Sequence, residues 1–559
     1  MSVLSSSDGT NPKAFVDVSD TQQLARDFEM QPREVDKTAN DKHDDIVYLT
    51  GARYWMVAAS MAVIVFLVVM EITVVTTALV SITDDIGGFE QSGWVVSSYL
   101  LGRVAVIVIF AKLSDIFGRK FIFTTSIALF VIFSGACGAV NTMTQLIVFR
   151  AFQGAGGGGA HSISTILVTE LVPQEQFAKL TAQLSIVTSL SMLLGPIVGG
   201  AISTETSWRW IFLINVPIGA FAFILAIVGI PNGFPYQNQP THQSVKWRDV
   251  ISKSTLDRLD IPGAALLVLA TLSLTAGFEE AGSQFPWKSG YVISLLTISG
   301  VLWIVLIVWE RHVTLHSTIR EPVLPWTFLN NRIMVGILIS ILLIGGPQVV
   351  SIYQLPQRFQ LVYGYSGVDA GVRVIPFTLT ATFGIMVGST IASKFKIAPV
   401  YIAMAGSCIS VVGFALLGTL PFSDGIPPQI YGYEILAGFG WGTNWAVLFI
   451  MVPFVVKGRD KAVAMGSASE FQMMGSAIFL AIATSVFNGY IKSGLTGVVD
   501  TSDLASLGKY LGSLPAQTQE QIKVVLAEGY NRQMFVLCGA AAAQFPAALL
   551  LWKKKQIKI

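Results

Sequence analysis

Hydrophobic residues along this chain are gathered into long runs, and short polar stretches separate them. A helix needs roughly 17 to 25 apolar residues to cross the hydrocarbon core of a bilayer. Runs of about this length lie at 54–82, 93–113, 121–140, 143–166, 179–203, 209–230, 260–280, 290–309, 332–355, 367–390, 398–420, 428–453, 462–487 and 532–552. The pattern predicts an all-α polytopic membrane protein with about 14 transmembrane helices.

Basic residues are concentrated in every second connection between these runs. Short cytoplasmic loops collect Lys and Arg, so we count outward from a cytoplasmic N-terminus. The predicted inner connections then hold Arg119, Lys120, Lys246, Arg248, Lys253, Arg258, Arg311, Arg320, Lys394, Lys396, Lys457, Arg459 and Lys461. Lys288, Arg358 and the lysines of the last outer loop depart from this rule. The alternation predicts an even number of spans with both termini cytoplasmic.

Two long polar connections divide the chain into parts. We predict a disordered cytoplasmic tail at 1–50, where no apolar stretch suits a signal peptide. Segments 93–123 and 367–404 resemble each other, as expected for a transporter built from two related bundles. The predicted parts are a six-helix bundle at 51–230, a cytoplasmic loop at 231–259, two additional helices at 260–310, a second six-helix bundle at 311–553 with a long outer loop at 488–531, and a basic tail at 554–559.

The long outer segment 488–531 allows two interpretations. Apolar residues recur at helical spacing at Leu504, Leu507, Leu511, Leu514, Ile522, Val525 and Leu526. The segment either forms short helices over the outer face or is a polar linker.

Composition narrows the class of protein. Hydrophobic residues make up 53% and charged residues 13%, and the net charge is +2. The small net charge does not indicate a nucleic-acid surface. The low charged fraction indicates a membrane protein, since soluble domains carry about 25% charged residues. Cys137, Cys408 and Cys538 lie singly in apolar runs and are expected to be packing residues. We find no nucleophile–base arrangement, metal cluster or nucleotide motif, so we expect no enzyme, no cofactor and no metal.

The connection AKLSDIFGRK, residues 111–120, combines an acid, a glycine and two basic residues. Asp115 and Arg119 are four residues apart and so share one helix face, and Gly118 allows a tight reversal. A positive topology anchor explains Arg119 and Lys120 but not Asp115. We therefore expect a gate loop in which Asp115 and Arg119 contact a helix end of the other bundle.

This loop resembles that of the major facilitator superfamily. Within the fifth run, LLGPIVGGAI, residues 193–202, resembles the antiporter motif of proton-driven exporters through Gly195, Pro196, Gly199 and Gly200, although Ser191 and Ala182 stand where that family favours glycines. EITVVTTAL, residues 71–79, and WRWIFLINVPIG, residues 208–219, resemble the fourteen-span drug:proton antiporter branch of fungal efflux-pump type. Its acid is usually Asp, whereas this chain has Glu71. The resemblance implies the major facilitator fold of two six-helix bundles plus two extra central helices.

Charged residues inside the apolar runs are the candidates for proton coupling. An ionisable group within a membrane is a functional hypothesis by default, and this applies to Glu71. The resemblance implies a role in proton coupling for Arg150, because LIVFRAFQGAG, residues 146–156, matches the family pattern. A guanidinium stays charged and favours the ionised form of a nearby acid. A purely structural ion pair is the alternative.

Other polar residues are expected to line a cavity, namely Thr73, Gln153, Asn444 and Glu470. Arg103, Arg373, Glu434 and His161 have no spacing that settles their roles. The glycines of FRAFQGAGGGGAHS, residues 149–162, are not a phosphate-binding loop, because Ala160 and His161 replace the Lys-Ser/Thr pair. We expect them to let a neighbouring helix pack closely.

The sequence predicts proton-coupled efflux of small amphipathic organic molecules, such as drugs, toxins or fungal secondary metabolites, by alternating access. Proton-coupled uptake of a siderophore or basic amino acid is the alternative, and a receptor or channel explains the intramembrane charges less well. The expected partners are a small-molecule substrate, protons and the lipid bilayer. We expect a functional monomer in the plasma membrane, with the vacuolar membrane as the alternative.

Overall fold

A computed structural model describes residues 48–87, 92–173, 176–235, 257–281, 285–317, 319–365, 367–423, 425–456, 460–495, 515–553 and 556. Within these ranges the chain is helical, with two isolated β-bridges. The long helices are α1 (Gly51–Ile86), α2 (Ser92–Phe117), α3 (Arg119–Gly138), α4 (Met143–Leu171), α5 (Phe177–Glu205), α6 (Asn215–Gly229), α7 (Ile261–Glu280), α8 (Gly290–His316), α9 (Arg332–Leu361), α10 (Ile375–Lys394), α11 (Pro399–Gly418), α12 (Gln429–Val455), α13 (Lys461–Gly494) and α14 (Ala516–Leu551). Short helices Arg209–Leu213, Trp326–Asn330 and Gly367–Arg373 precede α6, α9 and α10.

The prediction of an all-α polytopic membrane protein is confirmed. Across the described ranges, 13 helical segments are long and apolar enough to cross a membrane. Helix α4 is not among them, because glycines and polar residues such as Arg150 and Gln153 lower its hydropathy. The count of about 14 crossings and the cytoplasmic position of both termini remain predictions. The predicted tail at 1–50 lies almost wholly outside the described residues, as do 236–256 of the predicted cytoplasmic loop and most of 554–559.

The predicted helix starts agree closely with the structure except near the outer loop 488–531, whereas some helices end later than predicted, such as α8 at His316 instead of 309 and α9 at Leu361 instead of 355. Helix α13 continues to Gly494, and α14 begins at Ala516 instead of near 532. Ile522, Leu526 and Tyr530 pack against Ile491 and Leu495, which explains why both helices extend. Short helices and a polar linker were the two interpretations of this segment, and its described parts, 488–494 and 516–531, instead continue the two long helices. Leu504, Leu507, Leu511 and Leu514 lie outside the described residues.

The long helices pack as two groups of six. In the first group, α1 packs on α5 and α6, and α4 packs between α2 and α3; in the second, α9 packs on α13 and α14, and α12 packs between α10 and α11. Helices α7 and α8 pack on each other, and α7 also contacts α2 and α13. Apolar residues of α2, α7 and α13, including Val108, Leu267 and Val463, share one buried cluster. This cluster joins the two groups directly.

The glycine run of α4 explains the tight packing of the first group. A Cβ atom added at Gly154 would clash with the backbone carbonyl of Tyr99 on α2, and one at Gly158 would clash with that of Arg103. On the opposite side, a Cβ at Gly156 would clash with the backbone of Phe130 on α3. Because glycine lacks a Cβ, α4 approaches both neighbours at backbone distance. This confirms the interpretation of the run as a packing feature.

Candidate functional site

A cavity of about 530 Å³ lies between the two groups of helices. Both groups contribute to its wall, and its composition mixes aromatic rings with hydroxyl, basic and amide side chains. Characteristic lining residues are Thr73, Arg103, His161, Tyr353, Trp441 and Trp445. Sites for small organic molecules are largely apolar with a few placed polar groups, and this wall has that character.

The first group of helices encloses the predicted pair Glu71 and Arg150, and the two side chains form an ion pair. Arg150 Nη1 lies 2.6 Å from Glu71 Oε1, and both side chains are 0% exposed. Asn215 Nδ2 donates to Glu71 Oε2 at 2.6 Å. The carboxylate therefore has one partner on α4 and another on α6, while it stands on α1. Three helices meet at this one acid.

Arg150 is held from several further directions. Its Nε donates to the Val95 carbonyl at 3.0 Å, and Nη1 also donates to Gln153 Oε1 at 2.8 Å. The guanidinium lies over the Tyr99 ring, 4.3 Å from its centroid. Gln153 in turn donates through Nε2 to Ser134 Oγ on α3 at 2.8 Å. These hydrogen bonds and the aromatic ring hold the guanidinium in place and stabilise its positive charge.

Two polar atoms in this cluster have no hydrogen-bond partner among the described residues, namely Arg150 Nη2 and Asn215 Oδ1. A buried ion pair is costly to break, because the remaining charge loses its compensation. Protonation of Glu71 would remove its charge and leave Arg150 uncompensated. Protonation of Glu71 would therefore weaken the contacts that join α1, α4 and α6 at this acid.

Asn215 lies within the motif WRWIFLINVPIG, and the sequence alone indicated no role for it. The structure places it on the acid, while the start of the motif anchors the end of α1. Trp208 Nε1 donates to Asp85 Oδ2 at 3.0 Å, and Arg209 Nη1 lies 2.5 Å from the same oxygen. A polar Asn within an apolar run was the only signal for its position.

The four expected lining residues have different positions. Thr73 lines the cavity, whereas Gln153 belongs to the Arg150 cluster. Asn444 donates to Ser407 Oγ at 2.8 Å and also to Gln544, so it is engaged between helices of the second group. Glu470 is 1% exposed on α13, the helix that packs on α2. For Gln153, Asn444 and Glu470, the expected place in the wall is corrected, because neighbouring helices cover them.

The acid–guanidinium cluster lies behind the cavity wall in this structure. Glu71 and Thr73 are two residues apart on α1 and so point to different sides of the helix. A Cβ at Gly195 of α5 would clash with Thr73 Oγ1 and lie 3.3 Å from the Met70 carbonyl. Helices α1 and α5 are thus in close contact beside the cluster. A shift of α5 would act first on the wall at Thr73.

The antiporter-like residues all lie in α5. Gly195 makes the close approach to α1 just described. A Cβ at Gly200 would meet nothing within 4 Å, so this glycine is not required for close packing here. Gly199 is buried, and Pro196 lies in the same helix. The expected rocking of α5 remains a prediction.

The gate loop contains the predicted reversal at Gly118 and, in addition, an ion pair between Asp115 and Arg119. Gly118 has φ 92°, a conformation that favours glycine. Arg119 Nη2 lies 2.6 Å from Asp115 Oδ1 and 2.7 Å from Glu170 Oε1 at the end of α4. Arg119 Nη1 also donates to Ser114 Oγ at 2.6 Å. Among the described residues, every hydrogen bond and ion pair of the Arg119 side chain is within the first group. The expected contact with the other bundle is therefore not formed here. Lys120 follows Arg119 at the start of α3.

Lys112, one turn before Asp115, makes the longer-range contact. Its Nζ lies 2.7 Å from Glu321 Oε2, in the segment between α8 and α9. Arg258 Nη2 lies 2.8 Å from Glu321 Oε1, and Glu321 N donates to the Arg258 carbonyl at 2.9 Å. We call Lys112, Arg258 and Glu321 the three-residue latch. Burial raises the pKa of Glu321, but the charges of Lys112 and Arg258 outweigh it and lower that pKa to about 2.

Fold and site together define a polytopic membrane transporter with two helical bundles around a cavity. Comparisons with known proteins agree. The family model of the Major Facilitator Superfamily matches residues 61–480. An MFS-type transporter, FPY5, of Fusarium mangiferae is 36% identical over 92% of this chain and 86% of its own length. An MFS-type efflux pump, MFS1, of Arthroderma benhamiae is 27% identical over 90% of this chain and 92% of its own length.

The solved structure of the proton:xylose symporter XylE shares the fold, with TM-score 0.52 and 17% identity over 90% of this chain and 96% of that one. The chain belongs to the major facilitator superfamily. It is an integral multi-pass membrane transporter of small molecules and not an enzyme.

Proposed function

We propose that this transporter exports small amphipathic organic molecules in exchange for protons. The observation that carries the proposal is the fully buried ion pair between Glu71 and Arg150, which is completed by Asn215. A buried acid held against a guanidinium by three helices is suited to bind a proton and change helix packing when it does.

The coupling step follows from the charges. When Glu71 is ionised, it compensates Arg150 and holds α1, α4 and α6 together. When Glu71 is protonated, Arg150 keeps its charge but loses its counterion. A lone buried charge is unfavourable by several kcal/mol, so the first bundle then favours an arrangement in which water or other groups reach Arg150. Alternating access turns this preference into proton-dependent opening.

The substrate class is inferred from the cavity. Trp441, Trp445, Phe377 and Tyr353 offer aromatic surface, and Thr73 and Gln348 offer hydrogen bonds. Arg103, His161 and Glu280 add ionisable side chains to the same wall. Such a wall suits aromatic or polycyclic molecules with a few polar atoms. The similarity to a fungal protein named as an efflux pump supports the outward direction.

We further propose that this transporter acts as a monomer in the plasma membrane.

Transport into inside-out membrane vesicles tests the direction and the coupling. Ethidium serves as a fluorescent amphipathic probe, and the vesicle lumen is made acidic. We expect ethidium to accumulate in vesicles that contain the protein, and to do so only while the gradient is maintained. Ethidium leaving preloaded vesicles under the same gradient would instead support proton-coupled uptake into cells.

Variants then assign the coupling to the cluster. Glu71→Gln keeps the shape and one hydrogen-bond acceptor of the side chain but cannot change its charge. We expect gradient-driven accumulation to be lost in Glu71→Gln and retained in Glu528→Gln, where an exposed acid is changed. Equal accumulation by Glu71→Gln and the unmodified protein would overturn the assignment of Glu71.

A further inference from the structure

A second acid and arginine are buried in the second group of helices, near the predicted outer ends of α9 and α12. Glu434 of α12 is 0% exposed and Arg358 of α9 is 1% exposed. The sequence offered no role for either residue. Arg358 even departs from the expected charge distribution, because it is a basic residue on the predicted outer side.

These two side chains lack the contacts that complete the pair in the first group. Both carboxyl oxygens of Glu434 are without a hydrogen-bond partner in the described part of the chain, and so are Arg358 Nε and Nη2. Arg358 Nη1 donates to Asn531 Oδ1 at 2.8 Å, and Asn531 Nδ2 donates to the Leu420 carbonyl at 2.8 Å. No ion pair forms between Glu434 and Arg358, whereas the Glu71 pair is closed at 2.6 Å.

The charged and titratable groups around Glu434 are few. Arg358 is the charged group that acts on it. Tyr363 follows α9, and α14 contributes Tyr530 and Glu528 on the side of Arg358. Helix α11 has no acidic or basic side chain, and α10 has only Lys394, at its last position. In α13, Lys461 and Glu470 lie in the first half, and Lys492 is exposed at the end.

An ionised carboxylate in this position would be buried with neither a hydrogen-bond donor nor a counterion in contact. That arrangement is strongly unfavourable. Glu434 begins the second turn of α12, so the free backbone N–H groups of the helix start do not reach it. The neutral acid is the form that this environment accommodates.

We propose that Glu434 is a second proton-binding carboxyl, protonated in the present arrangement, which forms an ion pair with Arg358 when it releases its proton. On release, the O–H bond breaks, the proton passes to water on the predicted outer side, and the electron pair remains on the carboxylate. Arg358 keeps its charge throughout and compensates the carboxylate. The role of this step in export rests on the proposed function, whereas the protonation itself does not.

Residues 488–495 and 516–531, at the ends of α13 and α14, pack beside the Arg358 end of this site, and we call them the cap. Val362, one turn after Arg358, packs with Ile491, Leu495, Ile522 and Tyr530 in one buried cluster. Asn531, which holds Arg358, directly follows Tyr530. The cap therefore contacts the end of α9 that carries Arg358, and its movement would control when water reaches Glu434.

Infrared spectroscopy of the purified full-length protein in lipid nanodiscs tests the protonation directly. The C=O band of protonated carboxyl groups is recorded as the pH is raised from mildly acidic to alkaline. Glu434→Gln replaces the acid by a neutral side chain of the same shape, and Glu434→Asp retains a titrating acid if the first variant does not fold. Glu520→Gln is the control, because its side chain is exposed near the start of α14 in the same outer region.

We expect one carboxyl band at neutral pH that is absent in Glu434→Gln, present in Glu434→Asp and unchanged in Glu520→Gln. In Arg358→Gln the band should persist at pH values where the unmodified protein has lost it, because the compensating charge is gone; Arg358→Lys should differ less. A neutral-pH band that is identical with and without Glu434 would overturn the proposal. Loss of transport coupling at Glu71 has no bearing on this band, so the two proposals fail separately.

Discussion

Replacing Glu321 by Gln tests the three-residue latch, which links the end of α2 to the connection between the two groups of helices. Glu321 is the only acid in the latch, and it faces Lys112 at 2.7 Å and Arg258 at 2.8 Å. Lys112 is 8% exposed, so Glu321→Gln leaves a nearly buried ammonium group without its counterion. We expect the folded protein to lose stability.

The magnitude follows from the pKa of the carboxyl group. The latch lowers the pKa of Glu321 from its ordinary value of 4.5 to about 2. One pH unit of pKa difference corresponds to about 1.4 kcal/mol, which gives a stabilisation on the order of 3 kcal/mol for the ionised group. Because the folded-state pKa is lowered, this stabilisation is complete above pH 4.5 and is lost as the pH falls toward 2.

Thermal unfolding of the purified protein in detergent, followed by intrinsic tryptophan fluorescence over a pH series, is the assay. We expect a clear drop in the unfolding temperature for Glu321→Gln at neutral pH and a shrinking difference from the unmodified protein as the pH falls below 4.5. Glu528→Gln is the control, because its pair with Arg532 is exposed and worth little. If Glu321→Gln lowers the unfolding temperature at neutral pH no more than Glu528→Gln does, the latch does not stabilise the folded protein.

Two further predictions concern helix contacts. Gly154→Ala should reduce the yield of folded protein, because its Cβ would clash with the Tyr99 carbonyl and overpacking costs about 1–3 kcal/mol. Gly200→Ala is the control, because the space around its Cβ is open, and it should keep or slightly raise the unfolding temperature. Equal effects of the two substitutions would show that the close approach at Gly154 does not matter. Gly195→Ala should lower ethidium transport in vesicles through its clash with Thr73 Oγ1, and the added change Thr73→Ala should restore part of it if the contact is direct.

Much of the fold was predictable because membrane helices must be long and apolar. The apolar runs of the sequence located each of the long helices, although α14 begins earlier than expected. The 516–531 part of this helix is polar enough to resemble a connection, and the contacts of Ile522 and Leu526 with the end of α13 determine its conformation. A pattern within one segment does not reveal a partner that is many residues away.

The candidate site was predicted in part. Glu71 and Arg150 were identifiable as charges within apolar runs, and the structure brings them together. The role of Asn215 depends on the meeting of α6 with α1, which spacing alone does not encode. The same reason explains why Lys112 and Glu321 were missed. Charged residues at the ends of apolar runs are common, and only the tertiary structure selects those that face each other.

We propose that the proton carried by Glu71 couples the gradient to transport. The most direct measurement compares two activities of Glu71→Gln in proteoliposomes, namely gradient-driven ethidium accumulation and ethidium exchange at equal pH on both sides. Exchange requires the helices to move but requires no net proton transfer. We expect Glu71→Gln to retain exchange and to lose accumulation. Accumulation at the level of the unmodified protein, or loss of both activities in a folded variant, would contradict this proposal.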